Sequence, residues 1–227
     1  MPRFVLIPGA DGRAWYWHRL APLLEQRGHR AVAVNLPVGD ADAGFAQYVE
    51  AVMRTTGDQR RVVLVAQSLG GFIAPLVAER VPVTEIVLVN AMVPKPGESP
   101  GEWWDATGQE AARAGYYAQQ GWELPAQFDV WEAFFHDVPE EVVEAAKKGG
   151  EPVSRFDTLF SQPWPLDRWP DVRTRFLQGR DDRFFPLEFQ RRVVKERLGI
   201  EVEDLPGGHL IALSHPVELA DALASLS

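Results

Sequence analysis

The chain contains no cysteine among its 227 residues. A disulfide framework, a cysteine nucleophile, thiolate metal sites and iron–sulfur clusters are therefore excluded, and a cytoplasmic location is the compatible expectation. Positive charge is also short: 23 Lys and Arg stand against 32 Asp and Glu, a net charge of −9. That balance repels polyanions, so nucleic acid is not expected as a partner. Long apolar runs are missing too. The longest, such as Val62 to Ala66 and Ile86 to Val89, span a handful of residues, whereas crossing a bilayer takes about 20. Met1-Pro2-Arg3 leads straight into Phe4 to Ile7 with neither a long apolar segment nor a small-residue cleavage site. No signal peptide and no membrane span are expected, and the protein reads as soluble. What the chain does have is apolar mass, 46% of its residues, with eight Trp and twelve Phe. One domain suits this length, since single cores stop growing at roughly 250 residues.

Phe4-Val5-Leu6-Ile7 is a continuous apolar run closed by Pro8-Gly9, the pattern of a strand buried on both faces. Runs at Ala31 to Val34, Val62 to Ala66, Glu85 to Val89, Arg175 to Gln178 and Ile200 to Leu205 predict further strands. Helical spacing predicts helices over Trp15 to Gln26, Asp42 to Arg54, Leu69 to Arg80, Leu187 to Leu198 and Pro216 to Leu226. This alternation implies an α/β fold, an open, mostly parallel sheet with helices on both faces. Between Pro94 and about Pro170 the rhythm fails, and the stretch is rich in Trp, Tyr, Phe, Glu and Pro. The expected organisation is a core of residues 1–93 and 171–227 with a cap insertion at 94–170, hinged at Pro94 to Pro100. Helical pieces are expected in it at Glu102 to Gln120 and Glu140 to Lys148. Open α/β sheets bind ligands at their carboxyl edge, and the cap is expected to cover that edge.

The stretch VVLVAQSLGG sets Ser68 between a buried strand and a helix. A nucleophilic serine on such a tight turn needs small neighbours so that its hydroxyl projects. Gly70 and Gly71 meet that need, and Ala66 stands where the usual G-x-S-x-G pattern has glycine. A serine before a helix is also a favoured N-cap, so its partners must decide. Chain order in this kind of site is Ser, then acid, then His. Of His18, His29, His136, His209 and His215, three follow Ser68, and His209 stands in a Gly- and Pro-rich loop just past the last predicted strand. For the acid, the strand Arg175 to Gln178 ends in Gly179-Arg180-Asp181-Asp182-Arg183-Phe184-Phe185-Pro186, which offers both Asp181 and Asp182. The earlier strand end offers Asn90, which is no carboxylate.

With these residues assembled, the sequence resembles the α/β-hydrolase superfamily over essentially its whole length. More narrowly, Trp15-Tyr16-Trp17-His18-Arg19-Leu20-Ala21-Pro22-Leu23-Leu24, Gly28-His29 and Asn35-Leu36-Pro37 look like the branch of plant methylesterases, hydroxynitrile lyases and many bacterial esterases. The resemblance implies six parallel strands, because the chain starts at the third strand of the full family fold. It selects Asp182 as the acid, in a GxxDxxxP-like loop, and implies that the backbone N–H groups of Ala10 and Leu69 form the oxyanion hole. Pro8-Gly9-Ala10 is the strand-end loop, with Pro8 in place of the usual His. Cyanogenic lyases of the branch carry Thr where this chain has Gly9 and Lys where it has Leu210, which favours a hydrolase. Gln67 stands where many relatives have His.

The expected activity is a serine hydrolase acting on a carboxylic ester through a Ser68, His209 and Asp182 triad, with no metal and no organic cofactor. A catalytically silent ligand-binding member of the fold, or a lyase or acyltransferase using the same triad, is the alternative. Trp103, Trp104, Tyr116, Tyr117, Trp122, Phe134 and their neighbours put about half of the aromatic residues into the insertion. An apolar pocket over Ser68 is expected, and with it a small hydrophobic ester as substrate.

Overall fold

The computed structural model describes residues 3–56, 61–149 and 156–225. Six strands, β1 (Arg3–Ile7), β2 (Arg30–Ala33), β3 (Val62–Gln67), β4 (Val83–Val89), β5 (Thr174–Gly179) and β6 (Val202–Leu205), form one sheet in the order β2-β1-β3-β4-β5-β6. Every neighbouring pair is parallel. The helices are α1 (Leu20–Gln26), α2 (Phe45–Thr56) and α3 (Gly70–Ala78), then α4 (Trp103–Thr107), α5 (Gln109–Gln120), α6 (Val130–Phe135), α7 (Glu140–Lys148) and α8 (Asp157–Ser161) between β4 and β5. The chain closes with α9 (Leu187–Leu198), α10 (Ile211–Ser214) and α11 (Pro216–Ala224). Among the described residues no helix is long and apolar enough to cross a membrane.

Unalternated apolar strands form because both sheet faces are covered. Val5, Ile7, Leu64, Ala66, Ile86, Leu88 and Phe176 pack with residues of α2, α3 and α9. Phe4, Leu6, Val63, Val65, Val87, Val89 and Leu177 face the other way, into a second core with residues of α1, α10 and α11. Successive strand residues thus bury into opposite cores, as the two-residue period of a strand requires.

The segment predicted as one helix from Trp15 to Gln26 is a 3-10 turn over Ala14–Trp17 followed by α1. Tyr16 and Trp17 are buried with their rings 4.5 Å apart, and His18 Nδ1 lies 2.8 Å from the Trp15 carbonyl, taking an acceptor that a continuous helix would use. The helix predicted from Asp42 begins at Phe45. Asp40 accepts the Asp42 N–H at 3.0 Å, and Gln162, beyond α8, accepts the Phe45 N–H at 2.8 Å, so the chain before Phe45 stays in a turn. The piece predicted over Glu102 to Gln120 divides at Gly108, whose φ of 66° is left-handed and ends α4 before α5 starts. The final strand starts at Val202, not Ile200, and α11 is described to Ala224, with Leu226 outside the described residues.

Candidate active site

β3 is buried along its whole length and delivers Ser68 to a turn ahead of α3. Ser68 has a φ of 50°, a left-handed conformation that costs of order 1–3 kcal/mol and persists only where the surroundings impose it. They do so through hydrogen bonds from Gly71 N–H and Met92 N–H to the Ser68 carbonyl, at 3.1 and 3.0 Å. They also do so through absent side chains: a Cβ on Gly71 would overlap the Met92 carbonyl, and one on Gly70 would sit 3.1 Å from the Pro8 carbonyl oxygen. Leu69, not Ser68, holds the N-cap position of α3, and no side chain caps that helix, so the serine hydroxyl is not spent as a cap.

The hydroxyl instead meets a histidine. Ser68 Oγ lies 3.3 Å from His209 Nε2, and His209 Nδ1 lies 2.8 Å from Asp182 Oδ2. Asp182 is fully buried, and its other oxygen accepts the Phe184 and Phe185 N–H groups at 2.8 and 2.9 Å. Two backbone N–H groups and the imidazole thus give the buried carboxylate its partners. Asp181, the other carboxylate of this loop, is exposed and accepts the Gly207 N–H at 3.3 Å. The remaining histidines lie elsewhere: His29 against Phe4, His18 on the Trp15 carbonyl, and His215 beside Ser214. His136 sits against Gly208, and burial lowers its pKa below the usual imidazole value.

Gly9 brings the end of β1 to the serine, since a Cβ there would lie 2.8 Å from Ser68 Cβ. Ala10 follows it on the exposed side of this turn, and Leu69 heads α3, where the first amides of a helix lack intrahelical acceptors. Of the two residues named for the oxyanion hole, Ala10 thus lies past the end of β1 and Leu69 directly follows Ser68 past the end of β3. Next to them, burial pushes the Asp11 carboxyl up, even with Arg13 Nε at 2.6 Å.

Three polar residues that the sequence reading gave no role complete the frame. Asn90, at the end of β4 with a φ of 45°, donates from Nδ2 to the Gly208 and His209 carbonyls at 2.9 Å each, and accepts the Gly179 N–H at 2.7 Å. One buried amide thereby ties the histidine loop to the end of β5. Gln178 donates to Asp182 Oδ2 at 3.2 Å and to the Phe185 carbonyl at 2.8 Å, holding the acid loop. Asp137 accepts the Gly208 N–H at 2.6 Å. The signal for Asn90 in the sequence is its place at a strand end, where an amide can tie two loops together although it cannot serve as the acid. The walls are aromatic: Phe134 stacks on the His209 ring at 4.7 Å, and Phe184 and Phe185 meet it edgewise at 5.3 and 5.2 Å.

The chain is similar to known proteins in sequence and fold. The family model described as "Alpha/beta hydrolase family" matches residues 4–222. Among curated proteins, polyneuridine aldehyde esterase of Rauvolfia serpentina is 28% identical, with 99% of this chain and 95% of that protein covered. Alpha-hydroxynitrile lyase of Arabidopsis thaliana is 26% identical, with 99% and 96% covered. The crystal structure of polyneuridine aldehyde esterase superposes with a TM-score of 0.77 at 23% identity, over 100% of this chain and 99% of that one. The family match spans nearly the whole chain, and the six-stranded parallel sheet fits it: the chain belongs to the alpha/beta hydrolase family.

Proposed function

We propose that this protein is a serine hydrolase that cleaves a small, hydrophobic carboxylic ester through an acyl-enzyme. The observation that carries the reading is the unbroken relay from Ser68 Oγ through the His209 ring to Asp182, with the serine held at positive φ. His209 Nε2 takes the Ser68 proton as Oγ attacks the acyl carbon, and the amides of Ala10 and Leu69 receive the oxyanion. Asp182 keeps Nδ1 protonated and stabilises the imidazolium. The proton then passes from Nε2 to the leaving alcohol. Water, giving a proton to the same nitrogen, attacks the acyl carbon, and the acid leaves as the proton returns to Ser68. Each oxyanion donor of this type contributes about 2.7–4 kcal/mol.

The insertion at 94–170 acts as a cap over the core at 1–93 and 171–227, with Phe134 of α6 laid on the His209 ring. Phe128, Phe134 and Phe184 continue that wall, their rings 4.8–5.5 Å apart, and apolar walls of this kind favour an apolar ester over a charged or sugar-like one. The similarity to an esterase supports ester hydrolysis, and the similarity to a lyase makes cyanohydrin cleavage the competing chemistry. Gly9 and Leu210, in place of the Thr and Lys of cyanogenic lyases, favour the hydrolase. The test compares release of p-nitrophenol from short p-nitrophenyl esters with cyanide release from an aromatic cyanohydrin. Ester turnover that disappears in Ser68→Ala, with no cyanide release, is expected. Cyanide release without ester turnover overturns the reading in favour of a lyase, and neither activity marks a ligand-binding member of the fold.

A further inference from the structure

Gln67 precedes the nucleophile at the end of β3 and is 3% exposed. Its side chain runs from the histidine to the loop after β1. At one end Nε2 lies 3.4 Å from the His209 carbonyl oxygen and 3.2 Å from His209 Nε2. Both are acceptors in the resting site, because Asp182 holds the ring proton on Nδ1. The amide therefore turns its N–H end to His209, since the opposite orientation sets oxygen against two acceptors. The hydrogen bond to the carbonyl does not depend on the ring and persists when Nε2 takes a proton.

The other end of the amide, Oε1, is thereby sent to Gly9. A Cβ on Gly9 would lie 2.3 Å from Gln67 Oε1 and 2.8 Å from Ser68 Cβ. The side chain missing at Gly9 leaves a gap across which the amide oxygen and the nucleophile are near neighbours. Among the described residues no donor bonds to Oε1, since both hydrogen bonds of this side chain use Nε2. An acceptor kept largely out of bulk water without a donor is costly, and it discriminates strongly in favour of a ligand that brings the donor.

We propose that Gln67 Oε1 is a specificity determinant that accepts a hydrogen bond from a hydroxyl on the carbon next to the scissile carbonyl, so that the preferred substrate is an α-hydroxy ester with an apolar remainder. This rests on the acyl-enzyme reading above and narrows its substrate. As Ser68 Oγ meets the acyl carbon, the carbonyl oxygen goes to the Ala10 and Leu69 amides and the leaving oxygen to His209 Nε2. The third substituent is the acyl chain, and its first carbon is the nearest substrate atom that can carry a donor toward Gly9. A hydroxyl there stands three bonds from Oγ, which suits the short gap between Ser68 and Oε1. Groups farther along the chain belong to the aromatic wall of Phe128, Phe134 and Phe184.

The test compares kcat/KM for three methyl esters of similar size: phenyllactate, which carries the hydroxyl; phenylpropanoate, which lacks it; and the O-methyl ether of phenyllactate, which keeps the oxygen and loses the donor. Each value is divided by that ester's rate of alkaline hydrolysis, which removes its intrinsic reactivity. The wild type is expected to favour phenyllactate, taken as its faster enantiomer, over phenylpropanoate by about tenfold, the worth of one hydrogen bond expressed as a rate. The ether should gain nothing over phenylpropanoate. In Gln67→Met, which keeps the length and removes the acceptor, the preference for phenyllactate should shrink to within about twofold. Because the ratio is taken within one enzyme, a general loss of activity in the variant cancels. Should the variant not fold, the wild-type comparison of hydroxyl, hydrogen and ether decides by itself. An equal preference in wild type and Gln67→Met, or an ether turned over as well as phenyllactate, overturns the proposal. A wild type that takes a fluorophosphonate label yet shows no preference for phenyllactate, or no turnover of it, contradicts this proposal alone. One that takes no label contradicts the esterase reading.

Discussion

Two adjacent carboxylates, Asp181 and Asp182, differ at the scale of a single residue by which way each turns. Asp182 is sealed between two backbone amides, Gln178 and His209, while Asp181 remains in solvent against Gly207. Replacing Asp182 by Asn removes the charge that orients and stabilises the imidazolium, and kcat should fall by about a thousandfold or more. Asp181→Asn should stay within about threefold, and side-by-side ester kinetics of the two variants checks this. Asn90 presents the opposite case, a neutral residue whose three hydrogen bonds place both the histidine loop and the end of β5. Asn90→Ala removes three buried hydrogen bonds, to the Gly208 and His209 carbonyls and from the Gly179 amide, so the melting temperature should drop by an amount equivalent to about 2–4 kcal/mol, and kcat should fall with it. Ser68 and His209 stood out in the sequence as candidates because nucleophile turns need glycines and triads have a chain order, and the structure brings them within 3.3 Å. The choice between Asp181 and Asp182 was not legible from the residues alone, since side-chain direction in a loop is set by what packs on it.

The element that matters most is the strand–turn–helix formed by β3, Ser68 and α3. Its glycines act by what they leave empty. Gly71→Ala would drive a Cβ into the Met92 carbonyl, and because backbone has to move, a loss of about 1–3 kcal/mol is expected in urea unfolding. β4, its neighbour, carries the one acidic residue of this central pair, Glu85, buried with Arg173 Nε at 3.2 Å. Burial raises the Glu85 carboxyl above its ordinary value in spite of Arg173 and Arg175. A raised folded value means that ionisation is harder in the folded chain than in the unfolded one. The stability carried by the protonated form is therefore complete below the ordinary carboxylate value and lost as pH rises through the folded one. Glu85→Gln should be more stable than wild type at neutral pH, and thermal melts should find that gap closing as pH is lowered through this window. Strands were readable because doubly buried strands are uniformly apolar. Helix ends were less so: α2 is started by Gln162, more than a hundred residues away in sequence, and no local pattern announces such a partner.

Across the whole molecule, the sheet provides strand ends and loops that converge on one imidazole, and Phe134 of α6, between β4 and β5, lies on that ring. The order β2-β1-β3-β4-β5-β6 was not written in the apolar pattern, which records that a strand is buried and not which strand lies beside it. The aromatic excess marked the stretch between β4 and β5 as one without strands, yet its division into α4 to α8 depended in part on left-handed Gly108. Phe134 joins the two regions by lying on His209, so Phe134→Ala should raise KM for aromatic esters several-fold and loosen the ring it covers, measured against short acetyl esters as reference.

The expectations about catalysis depend on Ser68 Oγ being the atom that is acylated. The direct measurement is intact-mass and peptide-mapping analysis after reaction with a fluorophosphonate. One adduct per chain, located on Ser68, abolished in Ser68→Ala and strongly slowed in His209→Ala, is the predicted result. An unlabelled wild-type chain, or an adduct on another residue that survives Ser68→Ala, would contradict the account.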